Sequence, residues 1–336
     1  MPAPIVVLST TTPDGIGPTR KDYRRAIGQA IGRHRVFTVT STPSGHPDAD
    51  REVVIAALSR DGHPPGRLDG SFLYACDGVD LDETRAIMGG TFAAGIGSVL
   101  VDAPYSTPLA SGTEVEISWP LPGGPWMDIR SLNDFVQDAL DRIVVPLRIT
   151  MTGNGTRSYS VGLDYPYLYG PDSIIGVADS RGITTGYPTE NSIYPAEIRR
   201  SGVGMTLVTG ELYSTSETFE VVIAIPASRW VYDGTAWGYV TGNPQSLSYD
   251  SWQAAAPIGW VQAFGAAKAL EWMITEVEAD EDLDDKARSR RLDALQRRYE
   301  KWLTAAADIK ATKFPKPPSM PERDFVYSPY SPRWAR

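Results

Sequence analysis

Six prolines between Pro315 and Pro332 bar regular structure from the last stretch of this chain. Each lacks an amide proton and holds φ at about −65°, so neither a helix interior nor a central strand tolerates that density. Among them stand Phe314, Phe325, Tyr327, Tyr330 and Trp334, large side chains that so short a segment has no means of burying against itself. Residues 313–336 are therefore expected to be an extended arm that orders against another surface. Lys313, Lys316, Arg323, Arg333 and Arg336 outweigh Glu322 and Asp324 to leave it at net +3, a charge suited to an acidic protein groove. Docking back on its own chain and plain terminal disorder are the competing expectations.

Upstream of the arm the pattern is helical. Trp260, Phe264, Ala267, Leu270, Ile274 and Val277 recur at intervals of three and four, the period of one buried stripe. Pro257 stands where a first-turn proline is tolerated. The acidic link Glu278 to Asp285 breaks the pattern, and a second stripe follows at Leu292, Leu295, Tyr299, Trp302 and Ala306 before the pattern stops beyond Ile309. Two such stripes joined by a short polar turn predict a helical hairpin over residues 251–312, presenting the arm.

At the other end, residues 1–17 read as extended. Thr19 and Asp22 have capping-box spacing, and Tyr23, Ala26, Ile27, Ala30 and Ile31 mark an amphipathic helix to about Arg33. The period then falls to two. Short strand candidates begin at Val36, Glu52, Gly70, Gly97 and Thr113, separated by Gly, Pro, Asp and Ser. Val115, Ile117 and Trp119 alternate with Glu114, Glu116 and Ser118, which predicts a strand with one wet face. A helix capped by Ser131 carries Leu132, Phe135, Val136, Ala139, Leu140 and Ile143 on one side and ends before Pro146.

Residues 147–250 hold a second run of strand candidates, starting at Arg148, Ser173, Gly204, Thr218, Trp230 and Gly238. The expected fold class is α+β: a bundle of four main helices, two β-rich sandwich- or barrel-like units, and the extended C-terminal arm. The expected divisions are 1–17, 18–146, 147–250, 251–312 and 313–336.

At 336 residues the chain exceeds one ordinary domain. Its 31 glycines and 27 prolines favour turn-rich β structure. A net charge of −9 argues against binding DNA through a broad basic face. No apolar run has the length of a membrane span, and the opening Met1-Pro-Ala-Pro-Ile lacks a basic leader. The one cysteine, Cys76, has no internal disulfide partner and reads as a buried structural thiol of a protein folded in a reducing cytoplasm.

Motifs for chemistry are sparse. With one cysteine no thiolate zinc site exists, and His46, Asp48 and His63 read as solvated loop residues rather than as metal ligands. The hydrolase elbow, the phosphate-binding loop and the dinucleotide fingerprint are missing, and the glycines of Gly90-Thr-Phe-Ala-Ala-Gly-Ile-Gly read as turn formers. Tyr165, Tyr167, Tyr169, Trp230, Tyr232 and Trp237 offer a sugar platform or, more simply, the core and rim of a β unit. The acidic run Glu276 to Asp285 lacks the spacing and glycine of a calcium loop. No catalytic constellation, cofactor or metal is expected, and the chain reads as non-enzymatic.

In layout the sequence resembles the head-to-tail adaptor (connector) proteins in the neck of tailed-bacteriophage virions. The likeness is carried by the Thr19–Arg33 helix, β-rich sequence ending in Ser111-Gly-Thr-Glu-Val-Glu-Ile, the Ser131–Ile143 helix, and the pair around Phe264-Gly-Ala-Ala-Lys-Ala-Leu and Leu292–Ala307 with its tail. The resemblance implies a ring, commonly twelve-fold, assembled in the host cytoplasm at the virion's head–tail interface. Its partners would be the portal protein, other copies of itself, and a stopper or tail-completion protein, with DNA only as passing cargo and no membrane. The portal-docking residues would be Phe314, Phe325, Tyr327, Tyr330, Arg333, Trp334 and Arg336. A collar, minor-tail or baseplate protein and a carbohydrate-binding or hydrolysing protein are the alternative readings.

Overall fold

The computed structural model describes residues 17–32, 34–41, 50–60, 68–76, 83–93, 96–118, 129–160, 174–179, 193–194, 196–201, 204–210, 212–235, 237–240, 250–254, 256–281 and 283–313. Helix and sheet are mixed. The helix α1 (Arg20–Ile31) leads into β1 (His34–Thr38), β2 (Glu52–Val54), the short α2 (Ala57–Arg60), β3 (Phe72–Ala75), β4 (Thr84–Ala93), β5 (Ile96–Val101) and β6 (Glu114–Ser118). After α3 (Ile129–Asp141) come β7 (Val144–Thr152), β8 (Ser158–Ser160), β9 (Ile174–Asp179), β10 (Ile193–Tyr194) and β11 (Ala196–Ser201). Then follow β12 (Gly204–Thr209), β13 (Thr218–Pro226), β14 (Trp230–Tyr232), β15 (Trp237–Tyr239) and β16 (Gln253–Ala254). Two long helices, α4 (Ile258–Ala279) and α5 (Asp285–Lys313), end the described chain.

The capping box of α1 forms: the Thr19 hydroxyl accepts from the Asp22 amide, and the Asp22 carboxylate accepts from the Thr19 amide. Tyr23, Ile27 and Ile31 then share one apolar cluster with Leu132, Val136 and Leu140 of α3, the small and apolar residues of α4, and Leu295 and Ala306 of α5. Burial runs round most of α4, where Ala263, Ala266, Ala267 and Ala269 let neighbouring helices approach closely. α3 begins at Ile129 rather than just after Ser131, because Ile129 is itself buried against Tyr74 and Cys76.

Six strands form one antiparallel sheet in the order β1-β6-β3-β4-β5-β2. It curls into a half-barrel, so that the chain just past β1 meets β2: the Thr40 amide donates to the Val54 carbonyl at 2.8 Å. The concave side holds Phe37, Leu73, Ile87, Val99, Val115 and Ile117. The stretch from Glu52 that read as one strand breaks after Val54 and turns into α2, which seats Leu58 in that core. Of the glycines read as turn formers, Gly90 and Gly97 lie within the β4–β5 ladder, opposite Val99 and Phe92.

Beyond α3 the described strands form three small sheets, β10-β9-β13-β7, β11-β12-β8 and β15-β14-β16. Pro146 stands inside β7, opposite Ala224. β7 is an edge strand, where a missing amide proton leaves no ladder bond unmade. β16 brings the segment after Asp250 alongside the start of α1: the amides of Lys21 and Arg20 donate to the carbonyls of Asp250 and Trp252. Among the described residues no helix is long and apolar enough to cross a membrane.

Candidate functional site

The portal-docking residues expected from the sequence, Phe314, Phe325, Tyr327, Tyr330, Arg333, Trp334 and Arg336, lie outside the described residues, as do His46, Asp48 and His63. Of the aromatic platform, Tyr165, Tyr167 and Tyr169 also lie outside, while Trp230 packs against the helical core. The acidic run after α4 has a local role: Asp284 caps α5 by accepting from the Ala287 amide at 2.8 Å.

The densest ionisable cluster lies between α1 and the convex side of the half-barrel. Glu114, Glu116 and Ser118 project from β6 toward α1, and the face expected to be wet is covered: Glu116 is fully buried and Ser118 nearly so. The correction has a definite cause, because α1 carries Arg20 and Arg24 on its buried side, one turn apart, next to its apolar stripe. That puts guanidinium groups where the strand puts carboxylates.

Arg24 sits at the centre. Its Nε donates to Glu116 Oε2 at 2.9 Å and its Nη2 to Glu116 Oε1 at 3.0 Å, a bidentate pair. Its Nη1 donates to Asp250 Oδ1 at 2.6 Å and to Asn133 Oδ1 of α3 at 3.1 Å. The Tyr74 hydroxyl donates to the other Asp250 oxygen at 3.3 Å, and the Arg24 guanidinium lies over the Tyr74 ring. Glu116 also accepts from Arg25 Nε at 2.8 Å and from His34 Nε2 at 2.7 Å. Outward from this centre, Arg25 and Lys21 both bond Glu114. Arg20 donates to Gln137 of α3, which in turn donates to Asp141.

Electrostatics follow the geometry. Burial alone would raise the Glu116 carboxyl, but Arg24 and the His34 hydrogen bond outweigh it and hold the group well below the usual carboxylate range. Burial would likewise lower the Arg24 guanidinium, and Glu116 with Asp250 reverses this. Arg20 has weaker compensation, so its burial prevails and brings it down to about 10, still charged at neutral pH. Cys76 is buried beside the network, and burial pushes its thiol up, away from a reactive thiolate.

Lys21, Arg24 and Arg25 of α1 thus meet Glu114 and Glu116 of β6 and Asp250, with His34 of β1, Tyr74 of β3 and Asn133 of α3 joined to the same groups. Arg24 and Glu116 are closed to solvent on every side, so the centre of the network fixes the helices on the sheet. Sequence reasoning missed His34 and Asp250 as members. The available signal was the pairing of Arg20 and Arg24, one turn apart on α1, with Glu114 and Glu116, two apart on a strand.

Comparison of the chain with protein-family models, curated proteins and solved structures finds no match.

Proposed function

We propose that this chain is a non-enzymatic assembly protein of a tailed-phage virion. It would form a ring below the portal that joins the DNA-filled head to the tail, with its C-terminal arm engaging portal subunits. In this reading α1, α3, α4 and α5 act as one four-helix bundle, the half-barrel and the later β sheets are units carried on it, and the arm is held out by the hairpin.

The observation that carries the proposal is the shape of α5. It has 29 residues against 22 in α4, exposes much of its length to solvent, and runs to Lys313, where the proline- and aromatic-rich segment begins. A long helix with a rigid core on one side and such a sequence at its end suits the presentation of a docking segment. The ordering entropy of the arm would be met by its aromatic anchors, with arginines as polar partners. The buried charge network fits the same role, because a neck component has to keep one orientation between its units while DNA passes. An overall net charge of −9 suits a channel that does not retain phosphate.

The test is deletion of residues 313–336. The truncated protein should keep its circular dichroism spectrum and melting temperature but fail to join tails to filled heads. Normal infectious particles built from the truncated protein would overturn the proposal.

A further inference from the structure

Two flanks of the helical layer carry opposite charge. α3 and α5 both pack on α4, yet among the described residues they share no substantial packed face with each other. Glu271, Thr275 and Glu278 are exposed along α4, at intervals of four and three that place them on one helix face. Lys268, a turn before Glu271, pairs with it at 2.5 Å and lies within electrostatic reach of Asp138 on α3. Asp134, one turn before Asp138, is exposed. Asp134, Asp138, Glu271 and Glu278 therefore make up an acidic flank. Two cations stand beside it: Lys268 pairs with Glu271, and Arg142, which lies over the Phe264 ring, also faces Asp138. Burial raises the Asp138 carboxyl above its ordinary value, so a further cation brought alongside would be favoured.

On α5 the outward stripe is basic. Lys286, Arg290, Arg297 and Lys301 are exposed, and their offsets of 4, 11 and 15 residues place them within about 60° of one another around the helix. None of the four has a carboxylate partner among the described residues. Asp293 and Glu300 are exposed along the stripe's edge, about 20° and 40° from Lys286, so four cations stand against two carboxylates and the face keeps a net positive charge.

We infer that the basic outer stripe of α5 docks on the acidic α3–α4 flank of a neighbouring copy of this chain. The inference rests on the ring proposed above and names the two faces that meet within it. Different faces on one protomer make a heterologous contact, the kind that propagates from copy to copy and closes into a ring. Copies with a net charge of −9 repel one another at long range, so opposed patches of this kind would also set the direction of approach.

Sedimentation velocity on the full chain tests this at low salt, about 0.05 M, and at about 1 M. One variant carries Arg290→Glu, Arg297→Glu and Lys301→Glu; a second carries Asp134→Lys, Glu271→Lys and Glu278→Lys. Circular dichroism confirms that both fold. The unmodified chain should self-associate at low salt, and high salt or either variant should lower the association constant at least about tenfold. Mixing the two variants should restore association, since each supplies the face the other needs. If the unmodified chain associates and neither variant differs from it, or the mixture stays dissociated, the inference fails and the ring stands on other faces. A chain that stays monomeric at every salt concentration overturns both the inference and the ring.

Discussion

Arg24 and Glu116 meet through two parallel hydrogen bonds, 2.9 and 3.0 Å long, with both side chains closed to solvent. Glu116 belongs to the half-barrel and Arg24 to the helical layer, so this pair ties the two layers together. Its other contacts, to Asp250 and Asn133, bring two further segments to the same guanidinium. The pairing fixes orientation more than it adds net stability, because desolvating two charges offsets most of their attraction.

Breaking the pair from one side is a different matter. Arg24→Met would leave Glu116 and Asp250 buried without their shared cation, which should cost about 3–5 kcal/mol. Arg24→Lys should recover only part of this, since an ammonium cannot present the planar fork that spans both Glu116 oxygens. Urea unfolding of the three proteins measures both losses. A loss below about 1 kcal/mol for the methionine variant would mean that the network relaxes or admits water.

Acid should loosen the same joint. The folded-state carboxyl of Glu116 lies well below its ordinary value of 4.5, so its stabilising contribution is complete above that ordinary value. It is lost as pH falls toward the folded-state value. Glu116→Gln removes this dependence, giving a protein less stable at pH 7 whose stability declines less steeply on acidification. Unfolding free energies at neutral pH and at a pH below about 4 supply the comparison. Parallel pH profiles for the two proteins would exclude Glu116 as a source of acid sensitivity.

Two glycines set how closely the helices approach. A Cβ on Gly28 would lie 2.5 Å from the Cβ of His34, which the strand backbone fixes in place. A Cβ on Gly265 would lie 2.2 Å from Ile27 Cδ1 and 2.7 Å from Ile27 Cγ1, two atoms toward the end of a side chain rather than one fixed at its root. Replacing either with alanine gains about 1 kcal/mol of helix propensity, against an overpacking cost of about 1–3 kcal/mol. Gly28→Ala should therefore be the more destabilising. Gly265→Ala should cost less, and Ile27→Val, which removes the nearer of the two clashing atoms, should suit it better than it suits the parent chain. Thermal melts of the four variants check the ranking, and equal losses at both glycines would contradict it.

The helices were legible in the sequence because their signals are local. The Thr19–Asp22 box and the stripes of α4 and α5 each lie within a few turns, and the structure forms all three. The short strands β8, β10 and β16, of three residues or fewer, carry no period long enough to read. β4 was hidden by Gly89 and Gly90, residues that favour turns but lie within its ladder with β5. The charge network was hidden for another reason. Asp250 lies 226 residues from Arg24, and no local pattern announces a pairing across that distance. The exposed side expected for β6 followed soundly from its alternation, and the basic residues of α1 that cover it are contributed by a separate element.

The contact between α1 and α5 gives the last prediction. α1 ends in unpaired carbonyls, as every helix does, and Arg298 of α5 supplies their donors: its Nη2 donates to the Ile31 carbonyl at 2.7 Å and to the Ala30 carbonyl at 3.3 Å. A cation at this end also favours the helix dipole. The contact joins the exposed hairpin to the first helix at a site separate from the apolar core, so its loss should act locally. Arg298→Ala should cost about 1–2 kcal/mol overall and should raise amide exchange in the last turn of α1 and in the facing turns of α5, while the centre of α4 stays protected. Because a single nitrogen reaches both carbonyls, Arg298→Lys should retain most of the protection, unlike the substitution at Arg24, where the fork itself is used. Hydrogen–deuterium exchange followed by mass spectrometry reads this directly. Uniform loss of protection across α1, α4 and α5 would show that Arg298 supports the whole helical layer instead of clamping one corner of it.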